Sequence, residues 1–274
     1  MLTALLAGAA ATLVPLYLGI ATPWFAPRII HLGSSSLFPF LAAVASGILF
    51  WFFLDVMGVA ALLDVNQPFG LSYNQDLSHV TLIVLFTLGV GGLFWMEKSL
   101  IARVAASTET TEVPSSLGHG LTSIRHFTFA VAIAAALGIG FHAFGEGIEI
   151  GAVIPSSTSI LEAIGGFYPG TAYVLHKLLE GFVVGVVALL AGATGWKKLG
   201  ILGLISGLPT ILGFFVGVPQ LIAATYFFAL GGAGTVYIAI RLIPVFTKQD
   251  FNYRLIAAFL IGFFAMYFAG LLHA

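Results

Sequence analysis

Hydrophobic residues fall in eight long runs, at approximately 2–22, 37–62, 79–99, 127–154, 170–193, 198–217, 219–241 and 255–273, with polar residues collected between them. Each run is close to the roughly 20 residues that cross a bilayer as an α-helix. A chain in lipid must satisfy its backbone N–H and C=O groups internally, so runs of this length predict helices. The expectation is an all-α integral membrane protein, a single polytopic domain over 1–274 built as a bundle of eight transmembrane helices. The longest polar stretch, about 101–125, is rich in Ser, Thr, Glu and Pro and predicts a loop. The link Gly217-Val-Pro219 is so short that the sixth and seventh spans should be antiparallel neighbours.

Composition sharpens this picture. Hydrophobic residues make up 59% of the chain and charged residues only 8%, and mean hydropathy is +1.08. Soluble domains carry about 25% charged residues, so the lipid bilayer is the expected surrounding. The formal net charge of −1 gives no reason to expect a nucleic-acid partner. The absence of Cys removes disulfides, thiolate metal sites and thiol nucleophiles together. Residues 1–21 lack a basic leader and read as a first span rather than a cleaved signal.

The few basic residues then orient the spans. Arg28 lies in the first loop, Lys98, Arg103 and Arg125 bracket the third, Lys197 and Lys198 lie in the fifth, and Arg241, Lys248 and Arg254 lie in or beside the seventh. All are in odd-numbered loops, which the positive-inside rule makes cytoplasmic. The loop at about 101–125 is then cytoplasmic. Eight spans leave both termini extracytoplasmic, in a multi-pass protein of the cell membrane.

Candidate chemistry is concentrated in two copies of one pattern. His142-Ala-Phe-Gly-Glu146-Gly147 and His176-Lys-Leu-Leu-Glu180-Gly181 each place an imidazole and a carboxylate four residues apart, on one face of an apolar helix. An ionisable side chain at bilayer depth costs about 2.5–3.5 kcal/mol on insertion scales, so it marks a pathway or a site. The fourth and fifth spans are antiparallel. With a rise of about 1.5 Å per residue, Glu146 falls near the level of His176 and His142 near that of Glu180. Two nitrogens and two carboxylates at one depth suit Zn²⁺, Fe²⁺ or Mn²⁺. A lone pair of this kind is as readily an interhelical hydrogen bond; two copies on adjacent spans favour a metal. Gly147-x-x-x-Gly151 and Gly181-x-x-x-Gly185 support close approach of helix backbones.

Neighbouring polar residues have two readings each. Glu149 shares a face with His142 and Glu146, and is either a further ligand or a residue near the outer boundary. Lys177 should repel a metal unless it pairs with Glu149 or Glu146, where it would occupy space a second ion might otherwise take; the other reading is a lysine snorkelling outward. Asp55 either lines the path or approaches the outer surface with Asp64, the latter agreeing with its place in the outer half of the second span. Pro209 should kink the sixth span. Thr210 either offers a weak oxygen ligand or, more commonly for such a residue, bonds back to its own helix. His119 and His126 read as ordinary loop histidines, and His31, His79 and His273 lie at segment ends.

These motifs resemble those of the ZIP (Zrt-/Irt-like) metal transporters, as a divergent member. The first is similar to the family's fourth-span His-Asn-x-Pro-Glu-Gly and the second to its fifth-span His-Glu-x-Pro-Glu-Gly. Gly91-Gly92-Leu-Phe-Trp-Met-Glu97-Lys98 resembles the end of the third span, and Ser206-Gly207-Leu208-Pro209-Thr210 the sixth-span Ser-Gly-Leu-Ala-Glu-Pro. Eight spans, outside termini and a long cytoplasmic third loop also match. Ala143, Gly145, Lys177, Leu179 and Thr210 stand where the family has Asn, Pro, an acidic residue, Pro and Glu. The resemblance therefore implies one ion held by His142, Glu146, His176 and Glu180, with the family's second metal position blocked or occupied by Lys177. It also implies a ZIP-like bundle that rocks during transport, and a homodimer as an assembly to consider.

The functional expectation is a transporter moving Zn²⁺ or Fe²⁺ toward the cytoplasm, with the metal as substrate and no organic cofactor. An enzyme is not expected: an intramembrane metalloenzyme would need an open coordination position and a base, and neither His-Glu-x-x-His nor Glu-x-x-His occurs in the chain. A non-transporting metal sensor, or a carrier of another solute, is the remaining alternative.

Overall fold

A computed structural model describes residues 2–29, 34–65, 75–107, 127–153, 166–193, 195–216, 221–247 and 252–271. Among them are eight α-helices and no strand: α1 Leu2–Ile29, α2 Ser34–Val65, α3 Gln75–Ser107, α4 Phe129–Val153, α5 Phe167–Leu190, α6 Trp196–Phe214, α7 Leu221–Thr247 and α8 Tyr253–Leu271. Each contains a stretch long and apolar enough to cross a bilayer, so the chain is an all-α, multi-pass membrane bundle.

Several boundaries lie beyond those read off hydropathy; α1, for one, runs to Ile29 rather than ending near residue 22, so Arg28 belongs to a helix rather than to the first loop. The stretch expected to be loop from about residue 101 stays helical to Ser107, because a fall in hydropathy does not break a helix of good helix formers such as Ala105 and Ala106. Helix α7 continues past residue 241 to Thr247, through Pro244. Arg241 therefore belongs to a helix rather than to a loop. Arg125, Lys248, His31, His119, His126 and His273 lie outside the described residues, and the surroundings of His79 and Asp64 outside the described side chains.

Helices α4 and α5 form the centre, with 67% of each spanning stretch buried, against 22% for α3 and 28% for α8 at the edge. Lipid tails are as apolar as leucine, so helices associate in a membrane through close contact rather than through the hydrophobic effect. Small residues make that contact on α4. Its alanines at 130, 132, 134, 135, 136 and 143 are all buried. A Cβ on Gly138 would lie 2.6 Å from the Cα of Gly234 in α7.

The short link between α6 and α7 does not make them neighbours. Each packs on α4 instead, α6 parallel to it and α7 antiparallel, as shown by Gly147 meeting Thr210, Gly151 meeting Phe214, Gly138 meeting Gly234 and Gly231 meeting His142. The two paired-glycine motifs likewise bring α4 and α5 close to third parties rather than to each other. A Cβ on Gly147 would stand 2.1 Å from the Thr210 carbonyl oxygen, and one on Gly181 would stand 2.1 Å from the Leu16 carbonyl oxygen. One motif docks α4 on α6 and the other docks α5 on α1. The faces of α4 and α5 that carry His and Glu are thus left to meet through side chains.

Candidate metal centre

Four ligand-type side chains meet near the midpoints of α4 and α5. His142 and Glu146 project one turn apart from α4, and His176 and Glu180 do the same from α5. The helices run antiparallel, so each imidazole faces both carboxylates. His142 Nε2 lies 3.1 Å from Glu146 Oε1 and 3.5 Å from Glu180 Oε1. His176 Nε2 lies 3.9 Å from Glu146 Oε1 and 3.2 Å from Glu180 Oε1. The four atoms form a ring in which nitrogen and oxygen alternate, all within 4.8 Å of one another. A tetrahedron with Zn–N and Zn–O bonds of 2.0–2.1 Å has edges of about 3.3–3.4 Å, and the four N···O edges bracket that value.

The site is deeply buried. His142, His176 and Glu180 retain 5%, 4% and 2% of their exposure, and the Glu146 side chain retains 14%. His142 Nε2, His176 Nε2 and Glu180 Oε1 make no well-aligned hydrogen bond despite their proximity. Buried polar atoms are ordinarily paired, and leaving one unpaired costs about 1–3 kcal/mol. Ligand-type atoms that converge without well-aligned hydrogen bonds to each other fit a divalent cation between them.

Lys177 fills the opposite side of the carboxylates. Its Nζ lies 2.8 Å from Glu180 Oε2 and touches Glu146 Oε2. The residue is 1% exposed, so it does not snorkel to the membrane surface. Its partners are Glu146 and Glu180 and not Glu149. The α5 register explains this: residues 177 and 180 share a face, and the Lys–Glu contact within the helix turns Nζ inward toward α4. The ammonium also stands 5.7 Å from the Tyr173 ring centroid. The Tyr173 hydroxyl in turn meets Thr12 Oγ1 of α1 at 2.8 Å.

The remaining candidates stand apart. Glu149 is half-buried one turn beyond Glu146 and lies outside the group of four. Asp55 is half-buried on α2, also outside the group. Thr210 is buried, but its Oγ1 has no hydrogen-bond partner, so the expected bond back to its own helix is not made. Ser206, one turn earlier, does bond back, to the Leu202 carbonyl at 2.8 Å. Residue 210 instead sits in the tight α4–α6 contact at Gly147, an environment that sequence pattern does not report.

Several residues around the cluster carried no local signal. Phe52 of α2 stands edge-on to both imidazoles, at 4.6 Å from His142 and 5.2 Å from His176. Phe228 of α7 leans on His142 at 5.4 Å. Gly231 makes room for the same histidine, since a Cβ there would lie 2.5 Å from His142 Cβ. His142 Nδ1 has no hydrogen-bond partner, so aromatic packing orients this ring. A phenylalanine in an apolar span looks like any other until the fold places it.

A second buried ionic group joins α3 to α7. Arg241 pairs with Glu97, and the Tyr237 hydroxyl donates to Glu97 Oε2 at 2.8 Å. The guanidinium lies 5.2 Å from the Phe94 ring. The sequence did contain a signal for it: Arg241 follows Tyr237 by one turn within an apolar segment.

No family model matches the chain, and no curated protein matches it. The geometry establishes a membrane helix bundle with a His/Glu group capable of holding a metal ion.

Proposed function

We propose that the chain is a divalent-metal transporter that carries Zn²⁺ or Fe²⁺ toward the cytoplasm, with the ion as substrate. The observation that carries this reading is the convergence of two imidazole nitrogens and two carboxylate oxygens within 4.8 Å of one another, between the two most buried helices. The motif resemblance to ZIP transporters, which rests on the same four residues, agrees with it. The segregation of basic residues supports cytoplasmic odd-numbered loops and extracytoplasmic termini.

In this mechanism an arriving ion exchanges its water for His142, Glu146, His176 and Glu180. Glu146, the least buried of the four, is the first ligand reached. Binding requires neutral imidazoles and ionised carboxylates, so protons compete with the ion. Metal affinity should fall as pH is lowered and recover on return to neutrality, as read by titration calorimetry. Release follows a shift of one helix group against another, the rocking that the resemblance implies.

A sensor that binds metal without moving it, or a carrier of another solute, is favoured by Lys177, whose single positive charge already contacts both carboxylates. Reconstitution separates these readings. Zn²⁺ flux into proteoliposomes that is lost in Glu146→Ala and His176→Ala supports transport, whereas stoichiometric binding without flux supports sensing. Unchanged metal affinity in both variants overturns the metal reading.

A further inference from the structure

The two carboxylates of the cluster are used asymmetrically, and that asymmetry bears on which ions the site takes. Both Oε1 atoms face the imidazole nitrogens at 3.1–3.9 Å. Both Oε2 atoms face Lys177 Nζ. If each carboxylate chelated an ion through both oxygens, two imidazoles and two carboxylates would supply six ligand atoms. With each Oε2 turned to the ammonium, they supply four.

We propose that Lys177 holds the cluster to four ligands and so makes it selective for ions that accept a tetrahedral set of two nitrogens and two oxygens, Zn²⁺ above all, against six-coordinate ions such as Mn²⁺. The inference rests on the metal reading above. An Oε2 atom cannot swing toward the ion without leaving Nζ, and Lys177, at 1% exposure, has no solvent to replace it. On the imidazole side, Phe52 is itself 1% exposed and lies edge-on to both rings. That side is closed with hydrocarbon, so added water has no approach there. Zn²⁺ accepts four ligands readily, whereas octahedral oxygen-rich coordination suits Mg²⁺, Ca²⁺ and Mn²⁺.

The order Zn²⁺ above Mn²⁺ would not by itself test this, because most sites of nitrogen and oxygen show it. The change on removing Lys177 does. Losing the ammonium lifts repulsion for every divalent ion alike, and it also frees both Oε2 atoms to chelate. Only the second effect alters the preference between ions. Lys177→Gln and Lys177→Met should therefore bind both ions more tightly, while the ratio of Zn²⁺ to Mn²⁺ affinity falls by about tenfold.

The experiment is metal competition on the purified full-length protein in detergent, paired with visible spectra of the Co²⁺ form. Four-coordinate Co²⁺ gives intense d–d bands and six-coordinate Co²⁺ weak ones. Intense bands in the wild type, weakened in either lysine variant together with the fall in ratio, support the proposal. Weak bands in the wild type overturn it and leave the metal reading standing, as does an unchanged ratio in a folded variant. If neither variant folds, the wild-type spectrum decides. A wild type that binds no divalent ion removes both the metal reading and this proposal.

Discussion

Among the described residues, two ionic clusters have buried carboxylates, and they differ in what they leave over. The α3–α7 cluster has one carboxylate, Glu97, one guanidinium, Arg241, and one phenol, Tyr237. Its charges balance, and its one unpartnered buried atom, Arg241 Nε, is a donor. The α4–α5 cluster has two carboxylates and one ammonium, so one negative charge is in excess, and two imidazoles accompany it. Its unpartnered buried atoms include His142 Nε2, His176 Nε2 and Glu180 Oε1, the kind that bind cations. Burial of charge is common to both clusters, so burial alone does not mark a site. Excess acceptors aimed at a common point do.

The comparison breaks most sharply if ligand removal and clamp removal fail to separate. His142→Ala should weaken Zn²⁺ binding by at least about a hundredfold, beyond the 10–100-fold seen when a partner of a ligand is lost. Arg241→Ala should leave metal affinity within about threefold of wild type. It strands Glu97, which is 3% exposed, and should cost about 2–3 kcal/mol of stability. That is below the 3–5 kcal/mol of a fully buried pair, because the arginine side chain is 24% exposed. Calorimetry and thermal unfolding in detergent read the two quantities. Equal losses of metal affinity in the two variants would end the distinction.

A smaller effect tests how the first cluster is positioned. Gly231→Ala drives a methyl into His142 and should cost about 1–3 kcal/mol with loss of metal affinity. Gly91→Ala meets open space and should change neither quantity. The smallest expected effect is that of Tyr237→Phe. It removes one hydrogen bond from Glu97 while the arginine remains, for a loss of about 1 kcal/mol with metal affinity unchanged.

Most of the architecture was legible in the sequence because lipid leaves few alternatives: a run of about 20 apolar residues must be a helix. The i, i+4 repeats at 142/146 and 176/180 placed each imidazole on the same face as its carboxylate, because a helix turns once per 3.6 residues. Pattern did not report packing partners. The glycine pairs indicated that backbones would touch but not that α4 would meet α6 and α5 would meet α1. The short link between α6 and α7 indicated direction but not contact.

The sequence by itself determined eight spans and two half-sites at matching depth, because both follow from length and helical period within one segment. Only the tertiary structure decided that Lys177 bridges Glu146 and Glu180, that Phe52 closes the histidine side, that Thr210 leaves its hydroxyl unbonded and that Arg241 clamps Glu97. Each of these depends on which helix lies alongside and how it is rotated. That choice is made by small-residue contacts distributed over the whole bundle, and no single segment encodes it.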